Sequence, residues 1–303
     1  SITWSPELGL FVAVAGSGSG NRVMTSPDGI NWTTRSNPVD NNWWGITWAP
    51  ELRLLVAVAR TGQSGNRVMT SPDGINWTTR STPVDNEWIT ITWAPELGLF
   101  VAVAYSGTGD RVMTSPNGIN WTTRSTPVGN QWISLTWSSE LGLLVATSTS
   151  GTGNRVMTSP DGINWTTRSN PVDNSWYSIT WAPELGLFVA VASSGTGNRV
   201  MTSSDGINWT TRSSAADNNW YGITWAPELG LFITSSWSGT GNRVMTSPDG
   251  INWTTRSTND NNWYAITWAP ELGLFAAVAA SGTGNRVMTA SANTATSSIL
   301  KAK

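Results

Sequence analysis

The sequence contains no cysteine and no histidine. Without cysteine there is no disulfide and no thiol chemistry. Without histidine the chain lacks the side chain that most readily moves protons or ligates metals near neutral pH. Charge of one sign is also missing: the formal net charge is −2, and the arginines are spread through the chain instead of gathered in a block. A nucleic-acid partner is therefore not expected. No apolar run approaches the roughly 18 residues that would suggest a membrane span. Tyrosine occurs only at positions 105, 177, 221 and 264. No catalytic constellation, metal or cofactor is expected. Ser1 starts inside a strand with neither an initiator Met nor a signal peptide, which suggests a processed form or a fragment. Lack of cysteine fits a secreted bacterial protein or a cytoplasmic one, and the compartment stays open, with the extracellular side slightly favoured.

What the chain has in abundance is repetition. The run Asn154 to Arg168, Asn-Arg-Val-Met-Thr-Ser-Pro-Asp-Gly-Ile-Asn-Trp-Thr-Thr-Arg, recurs almost letter for letter from Asn21, Asn66, Asp110, Asn198 and Asn242, and a seventh copy from Asn285 matches as far as Thr289. A fixed step of 43–45 residues dictates the architecture. Within the run, Ser26-Pro27-Asp28-Gly29 reads as a tight turn: Pro27 pre-sets φ, Asp28 bonds nearby backbone, and Gly29 accepts a left-handed conformation. It joins two β-rich segments, Arg22–Thr25 and Ile30–Arg35, termed strands c and d. The rest of the period supplies strand a (Trp176–Trp181) and strand b (Leu187–Ala192), joined by Ala182-Pro183-Glu184-Leu185-Gly186.

Four short strands in about 44 residues match one propeller blade. The expected fold is all-β: a seven-bladed β-propeller of four-stranded antiparallel blades. The expected single domain, 1–303, has blades at about 1–42, 43–87, 88–131, 132–175, 176–219, 220–262 and 263–303, closed as a monomeric ring. Thr294–Leu300 is read as a degenerate last outer strand, with Asn293 at the Gly29 position, the alternative being a disordered tail.

The Ser-Pro-Asp-Gly-Ile-Asn-Trp-Thr run resembles the Asp-box of sialidase-type propellers, with the Asp-to-Trp spacing one residue shorter. The resemblance implies that Asp28, Asp73, Asp161, Asp205 and Asp249 lock turns and that Trp32, Trp77, Trp121, Trp165, Trp209 and Trp253 pack between strands. It implies a fold and not an activity. Asn-Trp-Thr at Asn31 also matches a glycosylation sequon, but placement inside strand d argues against modification.

Candidate binding positions emerge when the repeats are compared with one another. Most positions carry one letter throughout. The residue before the b–c loop does not: it reads Gly16, Arg60, Tyr105, Thr149, Ser193, Trp237 and Ala280. The residue ahead of Trp in the Asp-Asn-x-Trp link reads Asn42, Glu87, Gln131, Ser175, Asn219 and Asn262. The residue after that Trp reads Trp44, Ile89, Ile133, Tyr177, Tyr221 and Tyr264. These positions are expected on the face carrying the b–c loops and d–a links, with Arg60, Tyr105, Ser193 and Trp237 exposed at its rim. Aromatic rings, amides and small polar loops suit sugars, although Asn and Gly also simply make good turns. The expectation is a non-enzymatic binding propeller, lectin-like, for glycans or another protein. The alternatives are a protein-recognition or structural scaffold, or a recently amplified or engineered repeat with no ligand.

Overall fold

The computed structural model describes residues 1–291, and the expected last outer strand lies outside them. The described residues form seven antiparallel sheets. Six have four strands in the order a-b-c-d, and the last has three. In the fifth repeat strand a is Trp176–Ala182, b is Leu187–Ala192, c is Val200–Ser203 and d is Thr210–Arg212. The fold is an all-β, seven-bladed β-propeller. By internal contacts the chain divides into two compact units, Ser1–Gly151 with Val156–Thr167, and Thr152–Arg155 with Arg168 onward.

Local chemistry explains the strand boundaries. The a–b turn is a single 3-10 turn, Pro183–Leu185, closed by Gly186 at φ 56°. In the second repeat Arg53 occupies the corresponding left-handed position at φ 48°, the one non-glycine residue with positive φ among the described residues. At the c–d turn Gly29 adopts φ 71°. The Asp28 carboxylate then takes the backbone N–H groups of Ile30 (2.8 Å) and Asn31 (2.7 Å). Those amides are removed from sheet pairing, so strand d begins at Thr33 and not at Ile30. Asn31 is accordingly an exposed turn residue, which corrects its expected place inside a strand.

The core lies between successive sheets. In the first unit Val12, Val14 and Val23 of one sheet pack against Trp43, Trp48, Leu55, Ala57, Met69 and Trp77 of the next. In the second, Val189, Val191 and Val200 meet Trp220, Trp225, Phe232 and Met245. The Trp that opens strand a is fully buried at 88, 132, 176, 220 and 263. Such rings bury on the order of 150–250 Å² each, which explains their recurrence. The Trp near the end of strand a points its indole toward the preceding blade. Its Nε1 donates to the Glu of that blade's a–b turn: Trp48 to Glu7 (2.6 Å), Trp93 to Glu51 (2.7 Å) and Trp225 to Glu184 (2.7 Å).

One irregularity positions the candidate site. Strand a carries a register shift at its first residues. Trp176 pairs with Ala192 and Ser178 with Val191, so Tyr177 is an extra, unpaired residue. The same bulge isolates Tyr221 and Tyr264, and a shift at the same place frees Trp44. A bulge re-aims a side chain that strict alternation would place elsewhere. The preceding Trp therefore enters the core while the bulged residue turns to the other side.

Candidate functional site

The three varied positions are brought together by backbone pairing. The residue before the b–c loop donates its N–H to the carbonyl of the varied link residue: Tyr105 to Glu87 (2.8 Å), Thr149 to Gln131 (3.1 Å), Ser193 to Ser175 (3.0 Å) and Trp237 to Asn219 (2.9 Å). The bulged residue follows two positions after the link residue. Each repeat from the second onward thus presents a varied triplet at the end of its inner strands, among residues that are otherwise uniform.

In the first unit the triplets of neighbouring blades interlock. Arg60 Nε donates to Glu87 Oε2 at 2.7 Å, with side chains 34% and 29% exposed. The Arg60 guanidinium carbon lies 4.9 Å from the Trp44 ring centroid and 5.1 Å from that of Tyr105. This is the geometry of a cation–π sandwich. Trp44 Nε1 donates to Asn42 Oδ1 at 2.6 Å, and Thr149 Oγ1 to Gln131 Oε1 at 3.2 Å.

In the second unit the rings form a four-member cluster. Tyr177 and Tyr264 join their hydroxyls at 3.0 Å. Tyr221 lies 3.8 Å from Tyr177, 5.3 Å from Tyr264 and 5.5 Å from Trp237, measured between centroids. Trp237 meets Tyr264 at 6.0 Å, edge to face. All four are partly buried. Burial raises the Tyr221 pKa, opposed by a hydrogen bond from Tyr177. Asn219 and Asn262 are engaged through Oδ1 by Arg199 (2.9 Å) and Arg243 (2.8 Å).

The expected rim residues Arg60, Tyr105, Ser193 and Trp237 are therefore partly buried and not freely exposed. Those that are large lean on one another: Arg60 on Tyr105, and Trp237 on Tyr221 and Tyr264.

The uniform polar residues of this side have a different employment, which the sequence reading missed. The invariant link Asn is buried, and its Nδ2 donates to the carbonyl of the following b–c loop: Asn86 to Asp110 (2.9 Å), Asn174 to Asn198 (2.9 Å), Asn218 to Asn242 (2.9 Å). A Cβ on Gly107 would meet Asn86 Nδ2 at 2.5 Å, so the loop needs glycine there. The preceding link Asp reaches back to the b–c loop of the blade before. Asp217 Oδ1 accepts from Gly197 N at 2.7 Å and lies 3.6 Å from Arg199 Nε. The repeat arginine completes the staple, as Arg111 Nη1 donates to the carbonyls of Tyr105 and Asn130, both at 2.8 Å. Amides and carboxylates that could have met sugar hydroxyls are thus largely spent on joining blades. The signal was the invariance itself, because a shared inter-blade joint must be the same in every repeat.

The c–d turn carboxylates lie in the other set of turns. Partial burial alone would raise the Asp161 pKa. The bonds from Asn164 N, Asn164 Nδ2, Ile163 N and Ser159 outweigh it and bring the pKa down to about 2, and Asp73, Asp205 and Asp249 behave alike. In the third repeat Asn117 Oδ1 accepts the same two backbone amides at 2.9 Å. Among the described residues no group of His, Asp and Glu is placed to hold a metal ion, and no helix is long and apolar enough to cross a membrane.

No family model matches the chain, and no curated protein matches it. Solved structures resemble it in fold. A catalytically inactive virginiamycin B lyase from Staphylococcus aureus, crystallised with quinupristin, superposes with a TM-score of 0.72 at 12% identity, over 88% of this chain and 86% of that one. YCF48 from Cyanidioschyzon merolae gives 0.65 at 15% identity, over 91% of each chain. The GH74 enzyme of Niastella koreensis gives 0.72 at 12% identity, over 95% of this chain and 51% of that one. At such identities the likeness concerns the fold alone.

Proposed function

We propose that this propeller is a non-enzymatic binding protein that takes glycans on the side carrying its b–c loops and d–a links. The observation that carries this reading is the ring cluster Tyr177, Tyr221, Trp237 and Tyr264, built on bulges at the positions where the repeats differ. Partly exposed aromatic rings bearing hydroxyls offer a stacking face and hydrogen-bond groups together, the combination that a sugar ring requires. Size variation from Ser193 to Trp237 at one uniform backbone position fits selection for contact better than selection for packing.

The non-enzymatic part rests on the titratable groups. A general acid needs a raised pKa, whereas the strongly shifted carboxylates here are lowered and committed to turn amides. The virginiamycin B lyase was inactivated by replacing one histidine with alanine, and this chain contains no histidine. The c–d turn is proposed as an Asp-box-type turn with a purely structural task. The chain is taken to act as a monomer.

The test is a glycan array probed with the labelled protein, alongside its mass in solution. Reproducible binding to a related set of neutral glycans, by a species of one chain's mass, is expected. An empty array, together with capture of a single protein ligand, would replace the glycan reading with the scaffold one.

A further inference from the structure

Five of the b–c loops hold a carboxylate in the same slot. Asp40, Asp85, Asp173, Asp217 and Asp260 each present Oδ1 to a loop glycine N–H, at 2.8, 2.7, 2.8, 2.7 and 2.6 Å. Each also lies 3.5–3.7 Å from the Nε of the repeat arginine. Each slot belongs wholly to one compact unit. The protein thereby demonstrates, five times, that this pairing of a glycine amide and a guanidinium accepts a carboxylate.

The third repeat keeps the donors and lacks the acceptor. Gly129 stands at the Asp position. Gly109 retains its left-handed conformation (φ 80°), and its N–H has no partner among the described residues. Arg111 is held as in the sister loops, with Nε on the Gly107 carbonyl at 2.9 Å and Nη1 on two further carbonyls. Its Nη2 has no partner among the described residues. Gly109 and Gly129 are both exposed, so the slot is open to solvent.

We infer that Gly109, Arg111 and Gly129 form a carboxylate-binding slot for a ligand bearing one carboxylate, either a small free acid or a uronic sugar. The carboxylate accepts from Gly109 N–H and lies beside the Arg111 guanidinium as an ion pair, as Asp217 does with Gly197 and Arg199. A carboxylate of the chain's own, Asp110, is nearby. Its Oδ1 accepts from Thr108 N at 3.1 Å and Asn86 Nδ2 at 3.2 Å, and in the other loops this position is Asn. Asp110 partly offsets the Arg111 charge, which favours one bound carboxylate over a doubly charged anion. The slot does not depend on the glycan reading of the ring cluster.

Amide spectra of the whole chain during titration with sodium acetate, against sodium chloride at equal ionic strength, provide the test. A saturable shift of the Gly109 amide is expected, with no comparable shift at Gly197. Gly129→Asp supplies the missing carboxylate: Gly129 is outside the left-handed region, and a Cβ there meets only Arg111 Nη2, at 3.7 Å. This variant should abolish the acetate response and raise the melting temperature. Asp217→Gly should open a second slot, so that Gly197 also responds. Glucuronate binding at least tenfold tighter than acetate assigns the slot to a uronic sugar, and equal affinities assign it to free acids. An unresponsive Gly109 amide, or an undiminished response in Gly129→Asp, overturns the inference.

Discussion

Replacing Asp161 with alanine and with asparagine should separate what the turn carboxylate does by shape from what it does by charge. Asp161 Oδ1 accepts from Ile163 N and Asn164 N, both at 2.8 Å, and Oδ2 accepts from Asn164 Nδ2 at 2.8 Å. Alanine removes these three bonds and a fourth, from the Ser159 hydroxyl to Oδ1 at 3.0 Å. The freed amides belong to exposed residues and can turn to water, whereas the buried Ser159 hydroxyl loses its acceptor and keeps only the N–H groups of Asp161 and Gly162 that donate to it. The cost is then a few net hydrogen-bond contributions, about 1–2 kcal/mol. Asparagine should cost less, because Asn117 already holds the equivalent two amides at 2.9 Å. The carboxylate's pKa, lowered from 3.8 to about 2, corresponds to roughly 2 kcal/mol at about 1.4 kcal/mol per pH unit, and screening at a surface turn reduces this to about 1 kcal/mol. A lowered folded pKa means that the contribution is present above the unfolded value near 4 and is lost as pH falls through 2. Urea unfolding at pH 7 and at successive values down to pH 2 measures this. The advantage of wild type over Asp161→Asn should shrink across that window. An Asn variant as unstable as the Ala variant, or an advantage that grows on acidification, would refute the reasoning.

Other outcomes follow from the same structure. Arg53→Gly should stabilise the chain by about 1 kcal/mol, since it relieves left-handed strain at a turn where the sister glycines have open space; thermal melting checks it. Asn218→Ala should cost about 2 kcal/mol, because it unties a buried amide from Asn242 and leaves a void beside Gly239. Glu184→Gln should keep a bond to Trp225 Nε1 but weaken it, with a loss of about 1 kcal/mol in urea unfolding. In spectrophotometric titration of the four tyrosines, Tyr221→Phe should remove a group that ionises above the ordinary tyrosine range, because burial raises it.

The architecture was legible because six of the seven repeats write both turns, in full or with close variants. Ser-Pro-Asp-Gly and Pro-Glu-Leu-Gly, with close variants, each determine a backbone path locally, and their recurrence leaves little choice of fold. The start of strand d was misplaced because Asp28 takes amides that β-propensity alone assigns to pairing. The varied positions were visible as letters, but their convergence was not. The bulge at Tyr177 depends on the register between Trp176 and Ala192, which no local composition encodes. The use of Asp217 and Asn218 as joints to opposite loops was hidden for the same reason: each partner lies about 20–24 residues away along the chain. The Glu184–Trp225 bond spans 41 residues and links a turn to the next blade's strand a, two segments that read as independent.

The central claim is that the ring cluster of the second unit is a contact surface for sugars. Isothermal titration of wild type and Trp237→Ala with an oligosaccharide selected on the array addresses it most directly, with melting curves as the folding control. Loss of a stacking anchor should weaken binding by on the order of tenfold or more while melting changes little, because Trp237 is only partly buried. Unchanged affinity in a folded Trp237→Ala variant would contradict the account.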